Sequence, residues 1–221
     1  MKRMIAVAAA VQALMGPAYA EAPGVSDHEI RIGEILPLTG PASFAGKAHY
    51  LGTKIALAQA NDEGGVGGRT VVALTEDDGY VPARTFQSAQ KLLSVDGIFA
   101  MTGTSGTSHM LAMLPLLEEQ DVLTVVSINP AESLYNPVRE NIFVVGTSYG
   151  NAIHRIMRLA VEERGLKDGK FAIIYQEDDY GANVKAGYDR AVEEFGLNSV
   201  AEIPYKRGQK DFAAEMLRVA N

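Results

Sequence analysis

Residues 98–127 read IFAMTGTSGTSHMLAMLPLLEEQDVLTVVS, and this stretch decides the fold class. Ile98–Thr102 is a short apolar run typical of a buried strand. Thr107–Gln120 repeats leucines at helical spacing, and Val122–Ser127 is a second strand-like run. Strand, helix and strand in this order predict a parallel βαβ unit, because two parallel strands need a crossover connection of about this length.

The same alternation continues on both sides of this stretch and predicts an α/β fold of parallel sheets with helices on both faces. Further strands are predicted at Ile30–Leu36, Thr70–Glu76, Ile142–Val145, Lys170–Tyr175 and Ser199–Tyr205. Further helices are predicted at Ala48–Glu63, Val81–Ser94, Ser148–Arg164 and Ala182–Phe195, and one begins at Asp211. In such sheets ligands bind beyond the carboxyl ends of the strands, so the loops that follow strands are the candidate sites.

Apolar residues at helical spacing support two of these helices. Leu51, Ile55 and Ala58 recur along the first one. In the helix at Ser148–Arg164 we expect four residues to face inward, namely Ile153, Ile156, Met157 and Ala160. A parallel-sheet lobe that begins near residue 148 holds only two predicted strands by residue 221, so we expect this second lobe to be incomplete.

Composition excludes several classes of function. The 221 residues are 47% hydrophobic and 21% charged, which is typical of a globular protein. The net charge is −7, so the protein lacks the basic surface that nucleic-acid binding needs. There is no cysteine, so thiol catalysis and cysteine-based metal sites are excluded.

The first 20 residues have the pattern of a secretory signal peptide. Lys2 and Arg3 are followed by the apolar run Met4–Leu14, and Ala18-Tyr19-Ala20 has the small-x-small form of a cleavage site. We therefore predict export to the periplasm or beyond, with cleavage after Ala20. A buried N-terminal helix is the alternative interpretation.

The loop Gly103–Ser108 is the strongest candidate for ligand binding, because it lies between a predicted strand and a predicted helix. Glycines allow the backbone to approach a ligand, and the free N–H groups at a helix start attract an anion. Hydroxyl groups on Ser105 and Thr107 add further donors. The loop is suited to a carboxylate, and a simple Ser/Thr helix cap is the alternative.

Three other loops also follow strands. Ser127–Ser133 should lie beside the first loop, and Asn129 there offers an amide, although a plain turn explains it equally well. The acidic loops Glu76–Tyr80 and Gln176–Gly181 could receive an ammonium group. Acidic residues are also common at helix N-termini, which is the alternative.

Signals for catalysis or metal binding are weak. The four histidines lack metal-ligand spacing, so we expect no metal site and no cofactor. His109 directly follows the loop Gly103–Ser108, which we call the hydroxyl loop, so a Ser–His pair is conceivable. No Gly-x-Ser-x-Gly motif occurs, however. We therefore expect a protein that is not an enzyme.

Several segments, in this order and spacing, resemble the type I periplasmic substrate-binding proteins of the branched-chain amino acid ABC transporter family. These segments are Ile32–Gly40 (IGEILPLTG), Ala60–Gly68 (ANDEGGVGG), Gly103–Thr107 and Asp179–Gly181. The resemblance implies two α/β lobes that close on a ligand. It places the first lobe at residues 26–145, the partial second lobe at 146–221 and the hinge near 145–148.

The resemblance also implies a set of ligand-binding residues and partners. The ligand would be an amino acid or a related small carboxylate or amide, delivered to a transporter permease by a monomeric protein. Ser105, Gly106 and Thr107 would hold the ligand carboxylate, and Asn129, Pro130 and Ala131 would contact the other main-chain groups of the ligand. Phe44 and Ala45 would line the side-chain end of the cleft. Tyr149 and Tyr180 would contact the ligand from the second lobe or the hinge.

Two other functions remain open at this point. A ligand-sensing regulatory protein or receptor could be built on the same lobes. A periplasmic hydrolase is the second alternative, and a turnover assay on amides and esters would expose it.

Overall fold

The computed structural model describes residues 22–220, so the predicted signal segment, residues 1–20, lies outside the described residues. The strands are β1 (Glu29–Leu36), β2 (Thr70–Asp77), β3 (Ala100–Thr104), β4 (Leu123–Val126), β5 (Ile142–Val144), β6 (Lys170–Gln176) and β7 (Asn198–Tyr205). The helices are α1 (Ser43–Asp62), α2 (Pro82–Lys91), α3 (Thr107–Glu119), α4 (Tyr149–Arg158), α5 (Asp179–Phe195) and α6 (Ala213–Ala220). No helix in residues 22–220 is long and apolar enough to cross a membrane.

The strands form two parallel sheets. The first sheet has the order β2-β1-β3-β4-β5, and each neighbouring pair is parallel. β6 and β7 form a separate two-stranded parallel sheet. The predicted α/β class with parallel sheets is therefore confirmed. We call the first sheet with α1, α2 and α3 the first unit, and the second sheet with α4, α5 and α6 the second unit.

The core of the first unit lies on the face of the sheet that packs against α2 and α3. Its buried residues include Leu92 directly after α2 and Met113 and Leu117 from α3, each with 0% exposure. Strand residues Ile35 and Val126 face the same cluster. The burial of these side chains stabilises this face by about 1.5–3 kcal/mol for each large one.

The opposite face of the first sheet is covered only in part by the described residues. α1 lies over β1 and β2 but contributes no residue to the core cluster, and its one buried residue is Gly46. Farther along this face, Leu123, Val125 and Phe143 alternate with buried neighbours and are 40%, 37% and 52% exposed. The two faces of one sheet are thus packed very differently.

Three details of the elements differ from the sequence predictions. α1 begins at Ser43 rather than at the predicted Ala48, because the turn at Gly40 and Pro41 is shorter than the sequence indicates. β3 spans Ala100–Thr104 instead of Ile98–Thr102. Ile156 is 58% exposed, so its predicted inward orientation is wrong, whereas Met157 is buried.

Candidate functional site

The order of the first sheet places a switch point between β1 and β3. The chain passes from β1 outward to β2 and then returns to β3 on the other side of β1. Crevices beyond the carboxyl ends of strands at such a point are where open α/β sheets bind ligands. The segments after β1 and β3 therefore border the candidate site.

The hydroxyl loop is shorter than predicted. Gly103 and Thr104 are the last residues of β3, so only Ser105 and Gly106 separate the strand from α3. Gly106 has a φ of 99°, and a Cβ atom there would lie 2.3 Å from Nδ1 of His109. A glycine is required at this position, because any other residue would be strained and would displace the histidine ring.

The N-terminus of α3 is not capped by a side chain. Its N-cap residue is Gly106, and no side-chain oxygen accepts a hydrogen bond from the first turn. By contrast, Ser148 caps α4 through the backbone N–H of Asn151, and Asp178 caps α5 through that of Gly181. The Ser/Thr-cap alternative for the hydroxyl loop is thus wrong, and the first N–H groups of α3 have no acceptor within the helix.

Two hydroxyl groups from different units converge on one amide oxygen beside this loop. Thr107 Oγ1 donates to Asn129 Oδ1 at 3.0 Å, and the Tyr149 hydroxyl donates to the same atom at 3.4 Å. Asn129 is fully buried, and its Nδ2 donates to the backbone oxygen of Gly106 at 2.9 Å. The loops after β3 and β4 are therefore held together, with two hydroxyl donors directed at the amide oxygen of Asn129.

The two predicted tyrosines also meet. The rings of Tyr149 and Tyr180 lie edge to face, with their centroids 4.8 Å apart. The Tyr149 backbone N–H donates to the oxygen of Pro130 at 3.3 Å, and Ala131 is fully buried next to it. Burial raises the pKa of Tyr149 to about 12, so its hydroxyl keeps its proton at neutral pH and remains a donor.

The predicted residues Phe44 and Ala45 are not joined to this cluster by any described hydrogen bond or ring contact. Both lie in the first turn of α1, and Phe44 is 79% exposed. The segment before them is fixed by Asp77, whose carboxylate accepts hydrogen bonds from the backbone of Leu38 and Thr39. Their place at the side-chain end of the ligand stays a prediction.

Buried polar atoms without a hydrogen-bond partner concentrate around the hydroxyl loop. Seven such side-chain atoms occur in the described part of the chain, and five belong to His49, Thr104, His109 and Ser127. An unpaired buried polar atom costs about 1–3 kcal/mol, so proteins rarely leave them without a purpose. Thr104 is the last residue of β3, and Ser127 directly follows β4, so both lie at the strand ends where a ligand is expected.

An aromatic stack that sequence reasoning missed lies next to the loop. The rings of Tyr80 and His109 are stacked, with centroids 4.4 Å apart, and the guanidinium carbon of Arg207 lies 5.1 Å from the centroid of Tyr80. Burial lowers the pKa of His109, and this effect outweighs the nearby Tyr80 backbone, which acts to raise it. The ring is therefore neutral at pH 7. The only sequence signal for this stack is the position of Arg207 in the loop just after β7.

Hydrogen bonds across the two units surround the same loop. Ser108 Oγ donates to Asp179 Oδ2 at 2.8 Å, and Arg207 Nη2 donates to Ser108 Oγ at 3.4 Å and to Asp178. Burial would raise the pKa of Asp178, but hydrogen bonds from Arg207 and from the backbone of Gly181 outweigh it and lower the pKa. The second unit thus contacts the loop through a charged pair.

The acidic loops mostly serve the fold. Asp78 is fully buried and accepts hydrogen bonds from the Tyr80 backbone and the Thr85 hydroxyl, at 2.8 and 2.7 Å. Asp178 caps α5. These carboxylates hold loops and helix starts in place, which favours the helix-terminus alternative over reception of an ammonium group.

The described residues give no support to the catalytic pair that the sequence left conceivable. Ser108 donates to Asp179, and neither ring nitrogen of His109 has a partner of hydrogen-bonding geometry in the described part of the chain. Within residues 22–220 no group of three or more His, Asp or Glu side chains is arranged to hold a metal ion.

Comparison with known proteins gives one consistent result. A family model described as periplasmic binding protein matches residues 29–221. The chain is 28% identical over 186 residues to Leu/Ile/Val-binding protein homolog 3 of Brucella melitensis, a match that covers 84% of this chain and 50% of that relative. It is 26% identical to homolog 7 of Brucella abortus, covering 98% of this chain and 54% of the relative.

Solved structures agree with this match. The fatty acid ABC transporter substrate-binding protein from Thermomonospora curvata superposes with a TM-score of 0.82 and 27% identity, covering 90% of this chain and 50% of that one. LivJ from Streptococcus pneumoniae, in complex with isoleucine, has a TM-score of 0.77 and 17% identity over 87% of this chain and 54% of its own, which shows the shared fold. The chain spans about half the length of the curated relatives that it matches.

Proposed function

Because the chain belongs to the periplasmic binding protein family, we propose that it is an exported solute-binding component of an ABC transporter that captures a small carboxylate. The observation that carries this proposal is the N-terminus of α3, which has no side-chain cap and lies beside the buried, unpaired hydroxyls of Thr104 and Ser127 at the switch point. This chemistry supports a role in binding, because the described residues around the loop supply hydrogen-bond donors.

Carboxylates are the ligand class that this site fits best. Backbone N–H groups at a helix start and hydroxyl groups are donors, and each hydrogen bond to a charged group contributes about 1.5–3 kcal/mol. Two relatives above 25% identity are named for Leu/Ile/Val and for a fatty acid, and these ligands share a carboxylate. An amino acid or a related small carboxylate is the proposed ligand, held by Ser105, Gly106, Thr107 and Asn129, and a small amide is the alternative.

We propose that the two units are lobes that close on the ligand, with the hinge near residues 145–148. Tyr149 lies at the start of α4 beside this segment and reaches Asn129 of the first unit. Closure would bring Tyr180 and Tyr149 onto the ligand and exclude water, which strengthens the buried polar contacts. The closed, monomeric form would be the one that a permease recognises.

Export rests on residues 1–20, which carry the signal-peptide pattern, together with the periplasmic family. We propose that the protein acts in the periplasm after cleavage behind Ala20. A sensor or receptor built on the same lobes is the alternative. The transporter role is supported by the solved relative named as an ABC transporter substrate-binding protein.

A thermal-shift screen of the full-length protein tests the ligand class. Amino acids, fatty acids and aromatic acids are compared with the corresponding amides, which lack the carboxylate. A true ligand at a hundred times its dissociation constant stabilises the protein by about 2.7 kcal/mol. We expect carboxylates to shift the melting temperature more than their amides, and equal shifts would contradict the proposed class.

Variants then locate the site. Ser105→Ala combined with Thr107→Ala should weaken binding of the ligand found in the screen by at least about tenfold, since one lost hydrogen bond to a charge is worth about 1.4 kcal/mol or more. Thr107→Ser keeps the hydroxyl and should retain most of the affinity. Ser94→Ala, an exposed serine after α2, is the matched control. Unchanged affinity of the double variant by calorimetry would exclude this loop.

A further inference from the structure

Arg207 of the second unit contacts two separate segments of the first unit beside the hydroxyl loop. It lies just after β7, and its side chain is 29% exposed. Its Nη2 donates to Ser108 Oγ, in the first turn of α3, at 3.4 Å. Its guanidinium carbon lies 5.1 Å from the centroid of the Tyr80 ring, in the loop after β2. One side chain therefore bridges the two units at the edge of the candidate site.

The second unit holds this guanidinium in place. Arg207 Nη2 also donates to Asp178 Oδ2, and the Asp178 carboxylate caps α5 by accepting the Gly181 backbone N–H at 3.1 Å. A guanidinium is planar and carries five N–H donors in a fixed arrangement. An arginine that is anchored to its own unit in this way keeps the rest of its surface for the other unit.

Ser108 joins the units a second time. Its hydroxyl donates to Asp179 Oδ2 at 2.8 Å, in addition to accepting the hydrogen bond from Arg207. Hydrogen bonds to a carboxylate or from a guanidinium are stronger than those between neutral groups. Ser108 lies one residue beyond the proposed carboxylate-binding residues 105–107. Its hydroxyl is thus engaged with the second unit, directly beside the place where a ligand is expected.

The ring of Tyr80 is presented by a strained backbone. Tyr80 has a φ of 63°, a left-handed conformation that a bulky residue rarely adopts. The buried Asp78 holds this turn by accepting the Tyr80 N–H at 2.8 Å, and the ring is stacked on His109. Backbone strain of this kind is found at ligand clamps and switch regions, where the surrounding structure maintains it. The ring therefore forms a fixed platform for the guanidinium of Arg207.

We propose that Tyr80, Ser108, Asp178, Asp179 and Arg207 form an interunit clasp that holds the two units closed over the hydroxyl loop, with Arg207 as its positioning residue. This inference rests on the proposed closure of the two lobes and names the residues that set the closed fraction before a ligand binds. The cation–π contact and the hydrogen bonds favour closure, because they join groups that separate when the units move apart. The apparent affinity of a ligand falls with the population of the binding-competent form. The clasp thus controls affinity without a contact to the ligand.

A distance measurement between the units tests the clasp without any ligand. The 221 residues contain no cysteine, so Lys47→Cys in α1 and Lys210→Cys after β7, both at exposed positions, each take one spin label. Double electron–electron resonance on the full-length protein then gives the distance distribution. Arg207→Ala should raise the population at longer distances at least about fivefold, which is the lower end of typical coupling between sites. Identical distributions for the parent and Arg207→Ala would overturn the proposal.

Further variants separate the clasp from general stability. Tyr80→Phe keeps the ring and should match the parent, whereas Tyr80→Ala should open the units. Ser108→Ala removes both cross-unit hydrogen bonds of this hydroxyl and should act in the same direction, which keeps the test decisive if Arg207→Ala folds poorly. Lys206→Ala is the matched control, because Lys206 is 85% exposed and pairs with Glu177 of its own unit. Equal opening by Lys206→Ala and Arg207→Ala would contradict a specific clasp.

A double-mutant cycle and a rate measurement complete the test. The effects of Ser108→Ala and Arg207→Ala on the closed fraction should be non-additive, because the two side chains share a hydrogen bond across the units. With the compound found in the ligand screen, Arg207→Ala should raise the dissociation rate at least about fivefold, and an unchanged rate would contradict the clasp. Failure of every carboxylate in that screen would instead contradict the proposed function, whereas the distances would still decide the clasp.

Discussion

The two faces of the first sheet are packed very differently. On one side α2 and α3 form a continuous core in which Met113 and Leu117 have no exposure. On the other side α1 contributes nothing to that core, and its residues Leu51 and Ile55 are 59% and 61% exposed. The hydroxyl loop leads into α3, on the packed side.

The firm packing of α3 matters for the candidate site. A loop that leads into a tightly packed helix keeps its donors in place before a ligand arrives, which lowers the cost of ordering them on binding. We expect substitutions on the packed face to affect stability most.

The largest effect is expected from Leu117→Ala on the packed face. Removal of this fully buried side chain leaves a cavity in the core and should lower the free energy of unfolding by about 2–5 kcal/mol. Leu57→Ala in α1, over the opposite face, should cost about 1 kcal/mol or less, because its side chain is only half-buried. Urea unfolding followed by circular dichroism measures both, and equal costs would remove the contrast between the faces.

A smaller effect should come from pH through His109, which is buried on the packed side. Burial lowers its pKa from the ordinary 6.5, so below that pH the unfolded chain binds a proton that the folded ring does not. Stability contributed by the neutral ring is therefore present above pH 6.5 and is lost as the pH falls through the folded pKa.

Urea unfolding at about pH 5.5 and about pH 7.5 tests this dependence. His109→Phe keeps the stack on Tyr80 and should reduce the loss of stability on acidification. His28→Asn, at an exposed histidine, should leave it unchanged. A parent protein equally stable at both pH values would show that His109 is not held neutral.

The smallest effect is expected from Ile55→Gln on the outer side of α1. This side chain is 61% exposed, and surface substitutions of this kind change stability by no more than about 0.5 kcal/mol. Thermal unfolding of the full-length protein provides the measurement. A loss above about 1 kcal/mol would mean that α1 is packed in solution as firmly as α3.

The sequence predicted the strands well, because short apolar runs bounded by turn residues leave few alternatives. It was less successful with helix faces. Leu51 and Ile55 recur at helical spacing, yet the inward side of α1 carries Thr53 and Leu57. Spacing identifies a helix, whereas the side that faces the sheet depends on where the preceding turn ends, and α1 begins at Ser43.

The candidate site was predictable only where its residues follow strands. Thr107 and Asn129 were expected to be neighbours from the order of the strands alone, and they share a hydrogen bond. Tyr80 and Arg207 meet across 127 residues of chain, and no local pattern indicates such a contact.

A crystal structure of the full-length protein with the compound that gives the largest shift in the ligand screen is the most direct test of the central claim. We predict a carboxylate oxygen within about 3.2 Å of a backbone N–H in the first turn of α3, and within reach of the Ser105 or Tyr149 hydroxyl. A ligand bound away from residues 105–108, with no anionic group at the start of α3, would contradict the account.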